Sequence, residues 1–176
     1  MRNVIPEVSE GIASGPFARR PAVRYLAVAV AVGLIAVAAA ATLRLHEYRR
    51  VDDARDQARD RATALIADVL SYDFTTVEAH FDEVLPQLGG DLRDRFDRVG
   101  REVVVPSAKD RQVVTTATVV ESSVVSASPD TVALLFFVNQ STTSTDSAAP
   151  RLDGSRVRVV MSETGGTWVM TEMTPV

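Results

Sequence analysis

The sequence predicts an α+β protein tethered by one membrane-spanning helix, and three observations carry that prediction. Residues 25–43 run nineteen positions without a charge. Beyond them, apolar residues recur at three- and four-residue steps as far as Val99, the period of a helix face. From residue 103 the texture changes to β-branched residues, which from residue 113 fall into segments separated by turn residues. Helices followed by consecutive strands give an α+β layout with an antiparallel sheet.

The apolar run reads YLAVAVAVGLIAVAAAATL. At about 1.5 Å per residue it reaches about 28 Å, close to the roughly 30 Å hydrocarbon core of a bilayer. Tyr25 stands where an interfacial aromatic belongs, and Leu26, Gly33, Leu34, Ile35 and Leu43 fall inside the span. A cleaved signal peptide is the competing reading, since Ala39-Ala40-Ala41 offers a small-residue cleavage match. The run is too long for a signal core and starts late, so a membrane anchor is the reading carried forward. Ala29 and Gly33, four apart, would admit a second helix at close range, although eight alanines in the span make such pairs unavoidable.

Counting Lys and Arg leaves the orientation open. Arg19, Arg20 and Arg24 precede the span, while Arg44, Arg49, Arg50, Arg55, Arg59 and Arg61 follow it.

Residues 44–72 continue as a helix, with Leu45, Tyr48, Val51, Ala54, Ala58, Ala62, Leu65, Val69 and Tyr72 on one stripe. Its first half, 44–64, is expected to bury only alanines and to be a solvated stalk. Its second half is oily enough to dock on a domain covering residues 65–176. Residues 75–85 form a second helix, capped by Thr75 or Thr76 with Glu78 in answering position and stopped by Pro86. Residues 91–99 form a third, closed by Gly100. Strands are expected at 113–125, 131–139, 154–163 and 167–174. Ser128-Pro129-Asp130 and Thr164-Gly165-Gly166 mark turns, and 141–150 reads as a polar loop.

The chemistry this chain can support is narrow. It has no cysteine and two histidines, His46 and His80. Thiolate zinc sites, cysteine nucleophiles and histidine-rich metal centres are thereby excluded. From Arg44 onward, fifteen basic groups meet twenty-one acidic ones. A net acidic body gains nothing from counterion release on nucleic acid, so no nucleic-acid partner is expected. His80 lies near Asp82, but positions two apart on a helix do not face one another. No catalytic residue, cofactor site or metal site is assigned, and the protein is expected not to be an enzyme.

The order of segments brings a family into view. SYDFTTVEAHFDEVL, GGDLRDRF, LLFFVNQS and RVRVVMSETGGTWVMTEMTPV follow an alanine- and valine-rich membrane helix. Over roughly residues 20–176 the chain resembles the mammalian-cell-entry (Mce) associated membrane proteins of actinobacteria, including their orphaned relatives. That resemblance implies a nuclear-transport-factor-like cone, a curved antiparallel sheet wrapped by helices. It further implies a single-pass plasma-membrane protein with a cytoplasmic tail (1–24) and the C-terminal domain outside. The partners it implies are the lipid bilayer and subunits of an Mce-type lipid or sterol importer, which the chain would stabilise as an accessory scaffold. The alternative is a tethered lipid- or sterol-binding module. Phe81, Leu135, Phe137, Trp168 and Met170 would then line its apolar pocket.

Overall fold

The computed structural model describes residues 21–176, and the tail expected over 1–24 lies outside the described residues as far as residue 20. The chain divides into two compact units, Met1–Leu43 and Arg44–Val176. The described part of the first belongs to helix α1 (Pro21–Leu70). Tyr25, Leu26, Gly33, Leu34, Ile35 and Leu43 are all exposed there. Water solvates such an uncovered apolar surface poorly and hydrocarbon solvates it well. α1 carries the one stretch, among the described residues, that is long and apolar enough to cross a membrane.

The second unit begins with the remainder of α1. A two-residue strand, β1 (Tyr72–Asp73), leads to α2 (Val77–Val84) and α3 (Gly90–Val99). A π-helical turn, Gly100–Val104, passes directly into α4 (Val105–Arg111). Four long strands follow: β2 (Val114–Ala127), β3 (Thr131–Ser144), β4 (Ser147–Thr164) and β5 (Thr167–Pro175). The sheet runs β1-β2-β3-β4-β5 with every neighbour antiparallel. Register shifts in β2, between Val119 and Glu121 and between Val124 and Ser126, mark bulges, which bend a strand. The fold is thus the expected α+β type, helices against one face of an open antiparallel sheet.

Strand alternation decides which face is buried. Val132, Leu134, Phe136 and Val138 of β3 point inward with Val157, Val159 and Met161 of β4 and Trp168 and Met170 of β5. Leu65, Ile66 and Val69 of α1 close this core. Each fully buried aliphatic or aromatic side chain of this kind contributes about 1.5–3 kcal/mol by leaving water. A smaller cluster of Val77, Phe81, Val105, Ala108 and Val113 gathers α2 and α4, and Phe96 packs against both clusters.

Several expectations need correcting. Ala54, Ala58 and Ala62, placed on a solvated stalk, are at most 4% exposed and belong to the main core. Alanine brings a helix backbone close to its neighbour, so a small-residue stripe can be a tight interface. The polar loop expected at 141–150 is a continuation of β3 and β4. Thr142 pairs with Arg151 and Ser144 with Ser147, leaving Thr145 and Asp146 as the turn. Backbone pairing needs no apolar side chain, which hides such an extension from a hydrophobicity pattern. The chain does not leave its helices at Gly100. The run Val103–Val105 is helical because Val105 and Ala108 bury a face against α2, overriding β-branched preference. At α2, Thr76 makes no side-chain cap bond. Instead the Asp73 carboxylate accepts from the Thr75 backbone N–H at 2.8 Å and hydroxyl at 2.6 Å. Those two bonds hold its pKa below the usual carboxylate value.

Candidate apolar cleft

The five side chains expected to line one pocket do not come together. Trp168 and Met170 lie on the core face of β5, and both are buried in the main cluster. Leu135 and Phe137 lie on the opposite face of the sheet. Leu135 sits between Ser123 and Arg158, and Phe137 between Glu121 and Arg156, with Phe137 41% exposed. The period of two in β3 forces this split, since Leu134 and Phe136 take the inward positions. Phe81 belongs to the smaller cluster beneath α2.

Phe81 does line a cleft, with different neighbours. A cavity of about 320 Å³ opens where the end of α1, α3, the π-helical turn and β5 converge. Val69 and Leu70 come from α1, Leu92, Phe96 and Val99 from α3, and Met173 from β5. Arg95 is the one charged residue in its lining. The back of the cleft is built by a close approach at Gly100. A Cβ there would overlap the Phe81 ring, so glycine is what lets that ring stack on Phe96 at a centroid distance of 4.6 Å. The π-helical turn begins at Gly100, and such turns recur at functional sites.

A second cleft, of about 460 Å³, shares Val69, Leu70 and Tyr72 and, apart from Val113, is otherwise polar. Arg111 meets Asp146 at 3.3 Å and Arg151 meets Asp153 at 2.8 Å, so its opposite charges are paired. Nearby, Thr115, buried and polar, shares a hydrogen bond with Thr142 at 3.1 Å.

Two further sets of titratable groups tie elements of the domain to one another. His80 is half-buried, its Nε2 donating to the Asp68 carbonyl oxygen at 2.8 Å in the tautomer protonated there. It thereby ties α2 to the end of α1. Asp82 pairs with Arg101 at 2.8 Å, and Arg101 also bonds Asp97 at 2.6 Å. Asp97 first and Asp82 second raise the pKa of that guanidinium. Among the described residues no group of His, Asp and Glu is placed to hold a metal ion. His46 is exposed on α1.

No protein-family model matches the chain. Solved structures share its fold. An IcmL-like type IV secretion system protein from Legionella pneumophila superposes over 69% of this chain and 93% of its own, with a TM-score of 0.58 at 11% identity. The periplasmic domain of DotI covers 66% and 91%, with a TM-score of 0.56 at 8% identity. The VirB8 protein of Agrobacterium tumefaciens covers 68% and 92%, with a TM-score of 0.53 at 13% identity. Identities this low establish the fold alone. In sequence, the chain is 34% identical over 119 residues to the Mycobacterium tuberculosis outer membrane protein Rv1973, covering 68% of this chain and 71% of that protein. It is 35% identical over 147 residues to the Mycobacterium tuberculosis uncharacterized protein Rv1362c, covering 81% of this chain and 67% of the relative. The chain therefore belongs to the family that includes these two mycobacterial proteins.

Proposed function

We propose that this protein is a non-catalytic, single-pass accessory subunit of the plasma membrane, whose α+β domain stands outside the cytoplasm and stabilises an Mce-type lipid or sterol import complex. The observation that carries this reading is the order of parts. An uncovered apolar helix of membrane length precedes a domain whose fold recurs in the periplasmic domain of DotI and in VirB8. The outer-membrane name of the Rv1973 relative supports a place in the cell envelope. In this proposal residues 25–43 span the bilayer, 1–24 stay in the cytoplasm, and the linking stalk ends near residue 53, because Ala54 is already packed in the core.

A non-catalytic role draws support from the side chains available. One histidine is committed to a backbone carbonyl, and cysteine is absent from the sequence. The Mce association rests on the segment likeness described above. Deleting the gene tests it: the abundance of the importer's subunits and the uptake of its lipid should both fall and return on complementation. Unchanged subunit levels and uptake would remove the reading.

A further inference from the structure

We propose that the apolar cleft is a binding site for a single-chain amphiphile with a carboxylate head, a fatty-acid-like ligand whose head is met by Arg95. At about 320 Å³ the cleft falls at the small end of ligand pockets, which run from about 300 to 1,000 Å³. That is room for one acyl chain and too little for a two-chain phospholipid. Its walls are Leu92, Phe96, Val99 and Met173, and Val99, at the rim, remains 48% exposed. An apolar slot of this kind stabilises a hydrocarbon chain by removing it from water.

The head group is argued from charge. Arg101, Lys109 and Arg111, which surround the same helices, each meet a carboxylate within 3.3 Å. Arg95 does not. Its Nε donates to the Asp91 carbonyl oxygen at 3.3 Å, and its two terminal amino groups meet no carboxylate among the described residues. A guanidinium at the edge of an apolar slot suits a planar carboxylate held by two parallel hydrogen bonds. A neutral sterol would gain nothing from that cation. The site is separate from the pocket expected from sequence, sharing only Phe81 with it, and it stands whether or not importer subunits bind this chain.

The test uses the full chain reconstituted in phosphatidylcholine nanodiscs and a photoactivatable diazirine analogue of palmitic acid, with labelled peptides mapped by mass spectrometry. Labelling is expected within residues 92–104 and around Met173. Unlabelled palmitate should compete about tenfold better than hexadecanol, the scale of a charged hydrogen-bonded pair. Arg95→Gln should abolish that preference, and Val99→Trp, which fills the cleft from an exposed position, should cut labelling about fivefold or more. Two variants at exposed sites keep the outcome separate from misfolding. Labelling confined to residues 25–43, equal competition by palmitate and hexadecanol, stronger competition by cholesterol or a lysophospholipid, or labelling untouched by Val99→Trp would each overturn the proposal.

Discussion

At Gly100 the backbone comes so near the Phe81 ring that no Cβ would fit. The glycine's place after a helical stretch reads as a stop, yet the chain stays helical through it. Its use is the space it leaves for Phe81, and such a contact between α2 and the π-helical turn has no mark in the sequence. Gly100→Ala would force the Phe81–Phe96 stack to shift, and overpacking of this kind costs about 1–3 kcal/mol. Thermal unfolding of the detergent-solubilised full chain should show a lower midpoint, while Gly33→Ala, with open space around it, leaves the midpoint unchanged. The pocket residues failed for a related reason. TVALLFFVN is apolar on both faces of its strand, so hydrophobicity alone could not say that Phe136 points inward and Phe137 outward. The polar cross-strand neighbours of Leu135 and Phe137, among them Arg156, Arg158 and Glu121, carried the missing signal, but only once the register was known.

Among the elements, α1 divides into stretches that sequence reading treats unequally. The uncharged span identified itself by length. The stripe of Ala54, Ala58 and Ala62 is visible in the sequence but its use is not, because alanine suits both a solvated helix and a tight interface. What distinguishes the two is the facing surface, here the inner face of the sheet, and that comes from tertiary structure. Ala58→Leu should therefore destabilise the domain by about 1–3 kcal/mol, since no space remains for three added carbons. Asp56→Ala, on the exposed side of the same helix, should change stability by no more than about 0.5 kcal/mol. Parallel melting curves of the two variants would separate a packed helix from a solvated one. The strands show the complementary pattern. The turn at Gly165-Gly166 was legible because both glycines take positive φ, at 59° and 85°, as a tight hairpin demands. The β3–β4 hairpin tip was not, because its pairing through Ser and Thr backbone lacks an apolar alternation to announce it.

For the whole molecule, the class of fold, the helix-then-strand order and the one stretch, among the described residues, long and apolar enough to cross a membrane all followed from the period and length of apolar segments. Orientation did not follow, because the arginines on both sides of the anchor cancel as a signal. The absence of cysteine makes orientation directly measurable. A single Thr164→Cys substitution at the exposed β4–β5 turn should be labelled by a membrane-impermeant maleimide on intact spheroplasts, and protection until lysis would place the domain in the cytoplasm instead. The proposed role as a structural subunit of an importer belongs to the assembly. Its most direct measurement is affinity purification of the tagged full chain from gently solubilised native membranes, with quantitative mass spectrometry of what accompanies it. Importer subunits should accompany the chain in near-stoichiometric amounts if that role holds. Recovery of the chain alone, at expression levels matched to the importer, would contradict it.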